Sequence, residues 1–204
     1  MIERPPLERP LLERIAACRV CEAFLPLGPR PVVRASDPRA KILIVGQAPG
    51  TKVHASGIPW DDASGKRLRG WLGVEPEAFY DESKFAIVPM GFCYPGRAAT
   101  SKGRGGDNPP RPECAPLWHE AIRKTLPNIV LTLLVGSYAH AYYLRERHRA
   151  TLGETVKAWR DYEPSGFIPL VHPSPRNQIW LKRNPWFESE VVPHLRERVT
   201  ACLT

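Results

Sequence analysis

Four short apolar runs constrain this chain more than any other feature. They are Lys41-Ile42-Leu43-Ile44-Val45, Phe85-Ala86-Ile87-Val88, the stretch Ile129-Val130-Leu131-Thr132-Leu133-Leu134-Val135, and a fourth over 167–171 that ends Ile168-Pro169-Leu170-Val171. None alternates polar and apolar residues as a half-solvated strand does, so each reads as a strand covered on both faces. Helical spacing separates them, over 64–72, 113–126, 137–145 and 153–160, and a last helical pattern covers 186–203. Residues 8–19 form a further short amphipathic candidate, with Leu11, Leu12, Ile15 and Ala16 on one face. Strands alternating with helices imply a parallel sheet with helices on both sides. The expected fold class is α/β: a single three-layer α/β/α domain over 1–204 with a central four-stranded parallel sheet. Pro193 falls inside the last pattern, so it either kinks that helix or marks its first turn. The stretch 51–62 reads as a loop.

Charge narrows the choice of partner. Lys and Arg number 29 against 21 Asp and Glu, a formal net charge of +8. That surplus favours an acidic partner such as nucleic acid or an anionic membrane surface. No apolar stretch is long enough to span a bilayer, and Met1 to Pro6 carries no apolar signal region. The expectation is a cytoplasmic protein without a membrane partner. In that compartment five cysteines argue for metal or catalytic use over disulfides.

The strand ends carry the chemistry. The first run opens into Gly46-Gln47-Ala48-Pro49-Gly50, and the last into His172-Pro173-Ser174-Pro175-Arg176-Asn177. An open α/β sheet places its ligands at such carboxyl ends. Gly46 and Gly50 remove side-chain bulk where backbone meets ligand, and Pro49 stiffens the turn. Downstream lies Gly57-Ile58-Pro59-Trp60-Asp61-Asp62-Ala63-Ser64-Gly65. Its flanking residues put Trp60 on a loop, although a core aromatic reads the same way. Asp62 suits the N-cap of the 64–72 helix. Cys18 and Cys21 form a Cys-x-x-Cys, with Cys93 after the second strand and Cys114 at a helix start. Four thiolates serve an iron–sulfur cluster or a structural zinc ion equally well. Cys202 lies on the apolar face of the last helix and reads as a buried thiol.

In order and context, the two strand-end motifs and the Gly-x-Pro-aromatic stretch resemble the uracil-DNA glycosylase superfamily. With the four cysteines, the resemblance is closest to its iron–sulfur families 4 and 5, and it runs from Cys18 to about Asn177. It implies excision of uracil or a related deaminated base from DNA by hydrolysis of the N-glycosidic bond, the opening step of base-excision repair. The target base must leave the stack to be reached. The implied catalytic set is His172, donating to the base oxygen, with Asp62 and Gln47. Gly46, Ala48, Pro49, Gly50, Trp60 and Pro89 would line the base pocket, with Trp60 stacked on the flipped base. The implied cofactor is a 4Fe-4S cluster on Cys18, Cys21, Cys93 and Cys114, with structural zinc as the alternative.

Two positions depart from the superfamily's usual letters. Ala48 stands where the water-positioning Asp is usual, and Pro89 where an Asn reads the uracil edge. Family 4 lacks the first group and family 5 lacks both. In family 5 an acidic residue in a Gly-Asp-x-Ser-Gly context is a proposed catalyst, and Asp62 matches it. The interval from Cys93 to Cys114 is also longer than family 4 leads one to expect. DNA contacts are expected from Ser174, Arg176, Asn177, Lys182 and Arg183, with Arg176 as the wedge on a loop that enters the minor groove. Arg97, Lys102, Arg104 and Arg111 in the 94–112 insert are candidates to drape over phosphates. The rival expectation is a non-catalytic binder of damaged or single-stranded DNA with the same fold. A nucleotide-binding α/β protein with structural zinc is disfavoured, because no glycine-rich phosphate loop follows a strand.

Overall fold

The computed structural model describes residues 8–98 and 105–204. All four strands form: β1 (Ile42–Val45), β2 (Phe85–Ile87), β3 (Leu131–Val135) and β4 (Phe167–Leu170). They make one parallel sheet in the order β2-β1-β3-β4. Ile42 pairs with both Phe85 and Leu131, which places β1 in the interior.

The pleat sends alternate residues to opposite faces. On one face, Ile42, Ile44, Phe85, Ile87, Leu131, Leu133, Ile168 and Leu170 meet α3 (Ala63–Leu72), α9 (Gln178–Arg183) and α10 (Val192–Leu203). On the other, Leu43, Val45, Ala86 and Leu134 meet α1 (Glu8–Ala16), α5 (Cys114–Thr125) and α6 (Ser137–Leu144). Both strand faces are covered, which is why the strand sequences show no alternation. The structure is therefore the three-layer α/β/α arrangement that the strand runs imply.

Pro193 lies in the first turn of α10, where its missing N–H costs nothing. A π-helical segment, Phe187–Val191, precedes it. The 153–160 pattern resolves into α7 (Leu152–Lys157) and α8 (Trp159–Tyr162), the first closed by a Thr151–Glu154 capping box. Cys202 is buried in α10, as its place on the apolar face requires.

Two segments differ from expectation. The 51–62 stretch is not all loop: it contains α2 (Thr51–Ser56). This helix buries only Val53, so it carries no apolar period, and Gly57 at φ +74° ends it. A four-residue helix, α4 (Pro76–Phe79), is likewise too short to announce itself. The basic segment after Asn177 is not a loop either: it folds as α9, anchored by buried Leu181 and by Trp180 against Trp186 and Phe187. No helix among the described residues is long and apolar enough to cross a membrane.

Candidate active site

β1 ends the first wall of the site. Beyond Val45, the chain is held to the tail of β2 by backbone bonds: Met90 N–H donates to the Gly46 carbonyl at 2.8 Å and Gly91 N–H to that of Gln47 at 2.9 Å. These bonds prolong the sheet and fix Pro89 beside the Gly46–Gly50 turn. β4 ends the second wall at Val171 and His172. A cavity of about 500 Å³ lies between the two. Gly46 through Gly50, Trp60, Asp62, Pro89, His172, Ser174, Arg176 and Asn177 all line it.

Trp60 joins the walls. Its backbone is left-handed at φ +60°, an uncommon state for a bulky residue. A Cβ on Gly46 would come within 2.7 Å of the indole, and one on Gly65 within 1.7 Å of the Trp60 carbonyl oxygen. Both glycines are therefore needed so that this tryptophan can pack. Its ring lies 5.5 Å from that of His172, tilted by 36°.

The hydrogen bonds of His172 fix its tautomer. The Ser174 N–H donates to its Nδ1 at 3.2 Å, so Nδ1 is bare and Nε2 carries the proton. Asn177 Nδ2 donates to the His172 carbonyl at 2.7 Å and locks the backbone. Burial pushes the imidazole below its ordinary value, while the Asp62 carboxylate pulls it the other way. The result is a neutral ring with one N–H donor, suited to a leaving group that gains negative charge.

Asp62 both caps a helix and lines the cavity. It is the N-cap of α3, with Oδ1 accepting from Gly65 N–H at 2.8 Å, and it also lines the cavity. Its Oδ2 has no hydrogen-bond partner among the described residues, so Oδ1 alone holds the helix. Asn caps a helix as well as Asp does. Asp62→Asn is therefore expected to leave the melting temperature near that of the native chain while lowering activity. Asp62→Ala should lower both, with about 1 kcal/mol of stability lost. Thermal unfolding and activity assays on the two variants separate the roles.

The remaining candidates divide. Gln47 Nε2 donates to the Asn108 carbonyl at 3.3 Å, so its amide N–H ties the insert to the first wall. Ser174 Oγ accepts from Arg176 N–H at 3.2 Å and caps the short turn Pro175–Asn177. Arg176 donates to the Gly105 carbonyl at 3.1 Å and lies across the cavity mouth. Lys182 and Arg183 are exposed on α9, outside the cavity. Arg97 lines the cavity, whereas Arg111 does not serve it: it pairs with Glu113 and stacks on Phe24. Lys102 and Arg104 lie outside the described residues. Lys52, Ser64 and Asp107 also line the cavity. Ser64 and Lys52 sit in or beside the sequence motifs, whereas no motif flags Asp107, which only the tertiary fold brings there.

Cys18, Cys21, Cys93 and Cys114 line one small recess together with Leu25, Pro31, Phe92 and Trp118. The Phe92 N–H donates to Cys114 Sγ at 3.4 Å. Burial pushes the Cys114 thiol up to about 12 and also raises Cys93 and Cys21. The Trp118 indole N–H is buried there without a hydrogen-bond partner among the described residues. Among the described residues, no three His, Cys, Asp or Glu side chains are grouped so as to hold one metal ion.

A family model described as the uracil DNA glycosylase superfamily matches residues 33–196. The match takes in both strand-end motifs, Trp60, Cys93 and Cys114. Cys18 and Cys21 precede it.

Proposed function

Because the chain belongs to the uracil DNA glycosylase superfamily, we propose that it hydrolyses the N-glycosidic bond of uracil, or of a related deaminated base, in DNA. The observation that carries this reading is the neutral His172 imidazole, which keeps Nε2–H as its donor on a ring that lines a cavity of about 500 Å³. A flipped base enters that cavity between the Gly46–Gly50 turn and Pro89 on one side and His172 on the other. As the bond breaks, charge accumulates on the base oxygens and the Nε2–H donor stabilises it. The sugar gains cationic character, which the Asp62 carboxylate offsets. Arg176 and Arg97 at the mouth suit phosphate contact, and the exposed Lys182 and Arg183 extend that surface along α9.

Ala48 and Pro89 favour a second reading, a binder of damaged DNA that releases no base. One assay decides between them. Oligonucleotides carrying uracil, hypoxanthine or xanthine, single- and double-stranded, are incubated with the protein and then treated with alkali. Strand cleavage at the modified position supports the glycosylase. Tight binding without cleavage supports the binder.

We also propose that the four-cysteine recess holds an iron–sulfur cluster. The four thiols share one recess, lined otherwise by apolar side chains and Arg111, and the Trp118 indole N–H, without a partner among the described residues, is available to a sulfur acceptor. When bound, the cluster supplies a covalent tie between the N-terminal segment, the tail of β2 and the start of α5. Protein purified without oxygen is expected to be brown and to contain iron, and Cys114→Ser to lose both properties. Colourless native protein containing zinc would contradict the assignment and leave the glycosylase reading untouched.

A further inference from the structure

Asp107 has no part in the chemistry derived above, yet it stands in the cavity. It comes from the insert, held in place by an antiparallel bridge to Arg97. The flanking backbone adds two bonds, Ala98 N–H to the Gly106 carbonyl at 2.9 Å and Asn108 N–H to that of Gly96 at 2.8 Å. Asn108 is fastened further: its Nδ2 donates to the Pro95 carbonyl at 3.0 Å and its own carbonyl accepts from Gln47. The loop that carries Asp107 is thus braced on both sides.

The carboxylate lies against the first wall. A Cβ on Gly50 would be 3.5 Å from Asp107 Oδ2. Gly50 closes the same turn as Ala48, whose side chain offers no carboxylate. Neither Asp107 oxygen has a hydrogen-bond partner among the described residues. Arg97 and Arg176 are the charges that stabilise its ionised form, and Asp62 opposes them; burial raises its carboxyl above the ordinary value. Arg97 and Arg176 are also the cations a phosphodiester meets at the mouth. Asp107 lines the cavity together with both of them. When DNA phosphates engage the two guanidiniums, Asp107 is left as the stronger proton acceptor.

We propose that Asp107 is a catalytic residue of the glycosylase reaction, on which this inference rests: it holds the attacking water and takes its proton. The water oxygen bonds to the sugar C1′ as the C1′–N bond breaks. The bonding pair leaves on the base, where His172 Nε2–H stabilises it. The water's second proton goes to the Asp107 carboxylate and from there to solvent, and the base anion is protonated from solvent. The insert thereby returns to the site the carboxylate that Ala48 lacks.

Single-turnover base release and DNA affinity are measured together for the native chain, Asp107→Asn, Asp107→Glu and Asp107→Ala. Asp107→Asn is expected to lower the rate about 100-fold with the Kd for uracil-containing DNA unchanged. Asp107→Glu should retain an intermediate rate. Added formate, a free carboxylate, should partly restore Asp107→Ala, which a merely structural role would not allow. An Asp107→Asn rate within about twofold of native, far short of the general acid–base range, overturns the proposal and leaves the glycosylase reading standing. So does a loss that appears only in Kd. A native chain that releases no base from any oligonucleotide overturns both.

Discussion

His172→Ala is expected to lower the single-turnover rate of base release by about 10²–10³-fold, the usual effect of removing one donor from a site where charge develops. The imidazole is held by its neighbours, and its loss touches each of them. Ser174 N–H loses its acceptor, Trp60 loses the ring beside it, and the cavity gains a donor-free wall. The Asn177 bond to the main-chain carbonyl survives, because it does not involve the side chain. The second wall should therefore keep its backbone path, and DNA affinity should change far less than rate. Burial also sets the pH response. Protonation would place a second N–H on Nδ1, facing the Ser174 N–H. Because burial holds the folded ring below its ordinary value, the neutral form persists to lower pH than in a solvated histidine. Rates measured from neutral pH downward check this. A sharp loss centred on the ordinary histidine value would mean that the ring is solvated.

The largest stability effect is expected in mild acid and arises from two other histidines. His119 donates from Nε2 to the Pro89 carbonyl at 3.0 Å and accepts at Nδ1 from the Tyr143 hydroxyl at 2.9 Å. His140 donates from Nε2 to the Leu134 carbonyl at 2.9 Å, and its buried Nδ1 has no hydrogen-bond partner among the described residues. Both rings are almost fully buried, at 1% and 2% exposure. Burial lowers each from 6.5 to about 4. The unfolded chain binds these protons first as pH falls. The stability contribution is therefore complete above about 6.5 and is lost progressively toward about 4. Each ring accounts for on the order of 3 kcal/mol across that window. Urea unfolding midpoints measured across the window should fall steeply, and His140→Gln should flatten the slope by one ring's share. A flat midpoint would contradict the burial of both rings. His119 also links stability to the site, since the carbonyl it holds belongs to the cavity residue Pro89.

The sheet was legible in the sequence because its signal is local. Four continuous apolar runs leave few arrangements other than a covered parallel sheet. The strand-end loops were legible for the same reason, since Gly46, Pro49, Gly50 and His172 follow directly on their strands. Asp62 was readable as a cap and as a pocket residue, and in the structure its Oδ1 caps α3 while the residue lines the cavity. What escaped was set by contacts distant along the chain. α2 and α4 are shorter than the helical period needs to show itself, and α9 is held by Leu181 and Trp180 packing on the core. Arg111 looked like a phosphate contact among other basic residues until the fold turned it toward Glu113 and Phe24. Asp107 lies in a glycine- and proline-rich insert with no motif around it. Only the bridge to Arg97 and the approach to Gly50 bring it into the cavity.

The central claim is that the cavity between Gly46 and His172 releases a base by hydrolysis, and direct detection of that base tests it most closely. A duplex with a single uracil is incubated with the native protein, and the solution is analysed chromatographically before any alkali is added. The account predicts free uracil in a one-to-one ratio with abasic strands whose backbone is still intact, and neither product with His172→Ala over the same interval. Folded native protein that binds its duplex yet yields no free uracil, and no free base from a hypoxanthine or xanthine duplex either, would contradict it.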